Sequence, residues 1–276
     1  MTAMQLLVLA LVQGVTEFLP ISSSGHLILT RDLLGWHAAA NTELILDVAV
    51  HVGTLGAIVI YFWRDVLWML GGLLSLARGR AHPGGRMALL IAAATVPVVM
   101  VGAAAEAIGL IDALRTPLVI GWTTLGFGVV LYGVDRLVPP VHGLGQMTLG
   151  HALFIGLAQV LALVPGTSRS GITMTAARLL GYERTEAARF SMLMSIQVIV
   201  AAGTLKGLEL VRAGDTALAW DVVGAAAMAL IAALIAVGLM MRWLARATFT
   251  PFVVYRLLLG ALILWLVGIG YFAPAA

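Results

Sequence analysis

Pro165-Gly166-Thr167-Ser168-Arg169-Ser170-Gly171-Ile172-Thr173 interrupts two apolar arms, 149–164 and 172–180, in a very apolar chain. An Arg between such arms is expensive to place, and its default reading is functional. Four hydroxyls surround it (Thr167, Ser168, Ser170 and Thr173). Gly166 and Gly171 allow backbone to approach a ligand closely. Pro165 breaks the first arm. A new helix starting near Ser168 adds free N–H groups and a positive dipole end. One guanidinium, several hydroxyls and a helix N-terminus describe a pocket for a phosphate-like anion. The alternative is a Ser/Thr-rich turn whose Arg snorkels to the headgroups.

Working outward, the chain has 276 residues, 61% of them hydrophobic and 11% charged. Soluble domains are about 45–50% apolar and about 25% charged. The sequence therefore reads as a single polytopic membrane domain, 1–276, with no room for a soluble one. Cysteine is absent, which excludes disulfides, thiolate catalysis and Cys metal sites. The N-terminus lacks the basic stretch of a cleaved signal peptide. The net charge of +3 comes from positive residues scattered singly between apolar segments. That pattern fits loop charge that orients a membrane protein, and no nucleic-acid partner is expected.

Six segments are long enough to cross a bilayer: 43–63, 87–108, 117–138, 187–211, 218–241 and 251–272. Segment 64–77 is amphipathic, with Trp63 and Trp68 near it, and reads as an interfacial helix. Segments 3–19 and 27–36 are separated by Pro20-Ile21-Ser22-Ser23-Ser24-Gly25-His26, and the second is too short to span.

The chain repeats itself. Gln13…Glu17…Pro20–Gly25 resembles Gln159…Pro165–Gly171. Leu33–Trp36 resembles Leu179–Tyr182, Gly53–Leu55 resembles Gly203–Leu205, and Thr116–Val119 resembles Thr250–Val253. Four matches in one order predict two repeats, 1–140 and 147–276, each an interrupted hairpin plus three spans. An odd number of spans inverts the second repeat, which brings its site near the midplane where the broken helices meet. If both hairpins re-enter, Arg64, Arg78, Arg80, Arg86, Arg136, Arg184, Arg189, Arg242 and Arg246 share one face. Arg115 and Arg212 fall on the other, with Lys206 and Arg31 as borderline cases. The positive-inside rule then puts the Arg-rich face in the cytoplasm and both termini outside. The expected fold is all-α: six spanning helices plus two re-entrant, interrupted hairpins in an inverted repeat.

Gln13 and Glu17 lie at i and i+4 and share a helix face. Glu17 is followed by Ser22, Ser23, Ser24 and His26, a carboxylate, hydroxyls and an imidazole gathered at a helix break. Glu17 can bind a divalent cation or act as a base; a Ser can be the nucleophile, with His26 exchanging its proton. The plainer reading is a helix end with interfacial residues, capped by Ser22–Ser24. If the two tips meet, reacting groups face an anion pocket, the division of labour that phosphoryl transfer needs. Glu43, Asp47 and His51 form a further stripe that can reach the site or simply pack against the hairpin. Arg178, Glu183, Arg184, Glu186 and Arg189 read as a solvated cytoplasmic cluster. Glu106 and Asp112 read as interfacial, and Gln159 and Gln197 as interhelical hydrogen-bonders.

Gln13-Gly14-Val15-Thr16-Glu17-Phe18-Leu19-Pro20-Ile21-Ser22-Ser23-Ser24-Gly25-His26 and the 165–173 stretch resemble the two signature motifs of the undecaprenyl-diphosphate phosphatase (bacitracin-resistance) family. The likeness extends over Asp47…His51-x-Gly53-Thr54 and the 251–256 segment. It implies a bacterial inner-membrane enzyme that hydrolyses undecaprenyl diphosphate to undecaprenyl phosphate and inorganic phosphate. It also implies a divalent cation, Mg or Ca, and a site open to the outer face. Glu17, Ser23, His26 and Arg169 correspond to the family's essential residues. Gln13 stands where many members carry Glu and so supports the chemistry rather than performing it. On this reading Arg169, Ser168, Ser170 and Thr173, helped by Ser22, Ser24, Gly166 and Thr167, hold the polyprenyl diphosphate; Glu17 with Gln13 positions the metal; Ser23 attacks phosphorus. Oligomeric state is left open. The main rival is a lipid-phosphate flippase or phosphate transporter on the same inverted repeat. An intramembrane serine protease ranks lower, because Arg169 has no place in its chemistry.

Overall fold

The computed structural model describes residues 2–36, 40–213 and 216–272, without the side chains of 3, 40–44, 112, 201–213 and 216–219. Glu43, Asp112, Lys206 and Arg212, read above from sequence, fall among the side chains outside that description. The chain is helical: α1 (Ala3–Thr16), α2 (Ser23–Leu34), α3 (Ala40–Tyr61), α4 (Trp63–Ala77), α5 (Pro83–Ala107), a single turn α6 (Leu110–Ala113), α7 (Pro117–Leu137), α8 (Leu149–Val160), α9 (Arg169–Leu179), α10 (Arg184–Ala213), α11 (Thr216–Leu244) and α12 (Thr250–Gly268). No strand occurs among the described residues; His142 and Tyr182 form one isolated bridge. Proline starts α5, α7 and α12 within their first turns, where its missing N–H costs nothing. Thr116 caps α7 through a 3.3 Å bond from the Val119 amide.

Length sorts these helices. Pro83–Ala107, Pro117–Leu137, Trp220–Leu244 and Thr250–Gly268 are each long and apolar enough to cross a membrane. Ile45–Tyr61 passes together with Trp63–Ala77, bent by 84°. Four or five crossings make this a multi-pass membrane protein. The expected interfacial helix is α4, which begins at Trp63 and exposes Trp63, Leu67, Leu70 and Leu74. By contrast α1, α2, α8 and α9 have 14, 12, 12 and 11 residues, too short to cross singly.

The short helices come in two broken pairs. The first breaks at 17–22 and the second at 161–168, after a 3₁₀ turn, Leu161–Leu163, ends the α8 arm. The N-caps of the returning helices, Ser22 (φ 73°) and Ser168 (φ 72°), are the only non-glycine residues with positive φ among those described. Packing exchanges the pairs: α1 lies on α11, α8 lies on α5, and α7 and α12 lie on each other. Close contact is required there. A Cβ on Gly156 of α8 would sit 2.2 Å from the Ala94 carbonyl of α5. Small residues permit such approach where hydrocarbon supplies no hydrophobic drive.

One end of the bundle collects an ionic network. Asp135, at the end of α7, accepts from Arg178 Nε (3.2 Å), Arg184 Nε (2.7 Å) and the Phe249 amide (3.2 Å). Arg189 pairs with Asp65 at the start of α4. Both ends of the second broken pair lie here. Val141 N donates to Gly181 O at 2.8 Å, and His151 Nδ1 lies 2.8 Å from the Tyr182 hydroxyl. Burial pushes the Tyr182 phenol above its ordinary pKa.

Buried polar side chains bear on three of the sequence readings, and two of them, for Arg178 and Gln159, are corrected. Arg178 is fully buried rather than solvated, because Asp135 and the carbonyls of Tyr182 and Val138 take its donors. Arg31, a borderline case in the charge count, is 6% exposed and pairs with Asp47 of α3. Gln159 is 1% exposed, yet neither its amide nitrogen nor its oxygen has a hydrogen-bond partner among the described residues.

Candidate active site

The site forms where the two breaks meet. α1 ends with Gln13 and Glu17 on one face, and Gln13 Nε2 donates to Glu17 Oε2 at 2.8 Å. The chain turns at Pro20 and re-enters a helix at Ser23, whose Oγ donates to the same Oε2 at 2.6 Å. From the second break Arg169 donates to Glu17 Oε1 at 2.8 Å. Its other amino group donates to the Ser191 carbonyl of α10 at 3.1 Å, and its guanidinium lies 5.9 Å over the Phe18 ring. Glu17 and Arg169 side chains are 7% and 17% exposed. A carboxylate this buried requires the partners it has.

Both tips contain the N-terminus of a returning helix. At α9 the Ser168 hydroxyl accepts from the Gly171 amide at 3.1 Å. At α2 the N-cap Ser22 makes no side-chain cap bond. The first amides of two helices and their positive dipole ends therefore lie beside Glu17 and Arg169. The hydroxyls of Ser22 and Thr167, and the Gln13 Oε1, are buried without partners among the described residues. Such atoms are costly unless a ligand or ion uses them.

Other residues expected to hold a ligand are engaged by the protein. Ser170 donates to Leu19 O at 2.9 Å, so it ties one tip to the other. Thr173 donates to Arg169 O at 2.8 Å and lies 2.7 Å from Ser191 Oγ. Ser24 is exposed on the first turn of α2. Gly166 (φ 87°) does not make room for a ligand: a Cβ there would fall 2.2 Å from Thr123 Oγ1 of α7. Gly171 likewise faces the Arg256 guanidinium, 2.8 Å from its would-be Cβ.

His26 is turned away from Ser23. Its Nδ1 donates to the Ser22 carbonyl at 2.6 Å, and its Nε2 lies 2.6 Å from the Tyr255 hydroxyl of α12. Since a carbonyl only accepts, Nδ1 carries a proton. Ser23 instead meets the Glu17 carboxylate, and the imidazole beside that carboxylate is His51. Its Nδ1 donates to Asp47 O at 2.6 Å, and its Nε2 lies 3.6 Å from Glu17 Oε2. Ser191, Tyr255 and Arg256 were not singled out from sequence. Arg256 carried a legible signal, an Arg inside an apolar span.

A match to the family described as Bacitracin resistance protein BacA covers residues 6–262. The chain belongs to this family. Similar members include the undecaprenyl-diphosphatase of Ruegeria pomeroyi, 50% identical over 272 residues, covering 98% of this chain and all of that one. The undecaprenyl-diphosphatase of Dinoroseobacter shibae is 52% identical over 265 residues, 96% of this chain and 98% of its own. Undecaprenyl-diphosphatase 1 of Rhodospirillum rubrum is 51% identical over 279 residues, 98% and 97%. The family match spans both helix breaks, so the Glu17–Ser23–Arg169 cluster lies wholly within it.

Among the described residues no group of three or more His, Asp or Glu side chains could hold a metal ion. A hard cation needs no such group. It takes carboxylate, amide and phosphate oxygens and keeps several waters. Glu17 and the unpartnered Gln13 Oε1 fit that donor set.

Proposed function

We propose that the chain is an undecaprenyl-diphosphate phosphatase, releasing inorganic phosphate and undecaprenyl phosphate and so returning the lipid carrier of cell-wall synthesis. The observation that carries this is the joining of Glu17, Ser23 and Arg169 across two helix breaks, in a chain about half identical to proteins of that name over nearly its full length. The polyprenyl chain lies in the bilayer and its diphosphate enters between the tips.

Arg169 and the amides at the starts of α2 and α9 bind the diphosphate oxygens and stabilise charge as the bond breaks. This requires the guanidinium to share itself between Glu17 and the incoming phosphate. Glu17 takes the Ser23 proton, supported by their 2.6 Å contact. Ser23 Oγ then forms a bond to the terminal phosphorus while the bond to the bridging oxygen breaks. Water later releases the phosphate from the serine. The buried hydroxyls of Ser22 and Thr167 serve as further donors to the diphosphate. His26 orients the first turn of α2. His51 is the nearer imidazole for returning a proton to the leaving oxygen. Gln13 and Glu17 would hold a divalent cation, Mg or Ca, which neutralises phosphoryl charge when bound.

The topology belongs to the same reading: six spans, two re-entrant hairpins and an inverted repeat, in the inner membrane with the site open outward. Support comes from the exchange of α1 and α8 onto α11 and α5, and from the gathering of arginines at one end. Purified protein in detergent with undecaprenyl diphosphate tests the activity. Phosphate release that stops with chelator is expected. Absence of release refutes the phosphatase and leaves a carrier, since detergent removes any gradient.

A further inference from the structure

Arg256, on α12, is 0% exposed. Its donors reach five backbone carbonyls: Thr124 (2.9 Å) and Thr123 (3.3 Å) of α7, Pro20 (3.1 Å) of the first tip, and Gly166 (3.1 Å) and Thr167 (3.0 Å) of the second. No carboxylate pairs with it among the described residues. Broken helices leave carbonyls without intrahelical partners, and inside a bilayer each must be satisfied by protein. One planar guanidinium does this for both breaks. The chain makes space for it. A Cβ at Gly171 would lie 2.8 Å from its terminal nitrogen, and one at Gly128 would lie 3.2 Å from Arg256 Cβ. Thr123 reinforces the second tip by donating to Pro165 O at 2.6 Å.

We propose that Arg256 is a positioning residue. It sets the separation of the two tips and thereby holds Glu17 and Ser23 in register with Arg169. Arg169 and Ser170 also cross between the tips, to Glu17 and Leu19 O, but among the described residues only Arg256 ties both tips to α7 as well. A lysine cannot supply this link, since three donors on a point charge do not span five fixed carbonyls. The fork geometry is the functional element, and the charge alone is not. The kinetic consequence rests on the phosphatase reading; the structural one does not.

The experiment compares wild type with Arg256→Lys, Arg256→Gln and Thr123→Val, purified in detergent. Turnover of farnesyl diphosphate is measured together with amide hydrogen exchange over 17–25 and 164–172. Arg256→Lys is expected to lower kcat about 10–100-fold with KM changed less than about threefold, because misplacement of reacting groups by about 1 Å costs rates of that order. Exchange should quicken at both tips and stay unchanged in α5 and α11. Thr123→Val should quicken exchange at the second tip only. Near wild-type turnover in Arg256→Lys overturns the proposal, as does lost turnover with unchanged tip exchange or with faster exchange throughout. Should the Arg256 variants not fold, Thr123→Val decides: unchanged exchange at 164–172 overturns the clasp. If wild type releases no phosphate, the phosphatase reading fails while the exchange measurements still judge Arg256.

Discussion

Glu17 is the residue on which the chemistry converges. Its two oxygens accept from Arg169, Gln13 and Ser23, and His51 approaches the second. Replacing Arg169 or Glu17 by Ala is expected to lower phosphate release at least about 10²–10³-fold, the usual cost of losing charge stabilisation or a general base. Far-ultraviolet dichroism should stay helical, and turnover near wild type in either variant would refute the site. Ser23→Ala is expected to fall by a comparable factor. A normal rate in that variant would transfer the attack to water activated by Glu17. The two motifs made Glu17, Ser23 and Arg169 legible from sequence, because a carboxylate and a guanidinium beside helix breaks in apolar sequence have few structural uses. The partners were not legible. Ser23 bonds Glu17 while His26 is taken by the Ser22 carbonyl and Tyr255 of α12, a residue 229 positions away.

Among the elements, the broken pairs were readable because Pro20 and Pro165, each followed by hydroxyls and glycine, end an apolar run too early for a span. Their mutual docking was readable only as a repeat. The buried state of Arg178 was hidden, since its neighbours Glu183, Arg184, Glu186 and Arg189 make it look solvated. Its anion, Asp135, is distant in sequence, on α7. Asp135 serves two arginines and the start of α12. Asp135→Asn is expected to destabilise the fold by about 3–5 kcal/mol, because breaking a buried ion pair leaves charge uncompensated. Thermal unfolding in detergent measures it, and an unchanged midpoint would contradict the hub. The sequence signal for Gln159, an amide on an apolar arm, predicted a partner that the structure does not give it.

For the molecule as a whole, the charge pattern carries the orientation. Arg184 pairs with Asp135 and Arg189 with Asp65 at one end of the bundle. In the proposed topology that end is cytoplasmic by the positive-inside rule, and both termini are external. A C-terminal reporter active only outside the cytoplasm should be active, and activity of one that requires the cytoplasm would overturn the arrangement. The number of crossings was over-determined by hydropathy for α5, α7, α11 and α12. For α3 the apolar run continues past an 84° bend into α4, and the sequence separated the two at 63/64. A hydropathy window has no access to direction; the amphipathic pattern of 64–77, with Trp63 and Trp68, marked the change there.

Ser22 holds a left-handed backbone without glycine's freedom, its hydroxyl is buried, and no partner meets it among the described residues. A left-handed non-glycine residue costs about 1–2 kcal/mol, and an unsatisfied buried hydroxyl adds to that. Substitution by glycine removes both burdens. Ser22→Gly should therefore unfold at a higher temperature than wild type, yet turn over diphosphate more slowly because a donor to the ligand is gone. A variant both sturdier and faster would show that Ser22 has no part in recognition. Sturdier but slower is the signature of a position kept by selection against its own thermodynamic preference.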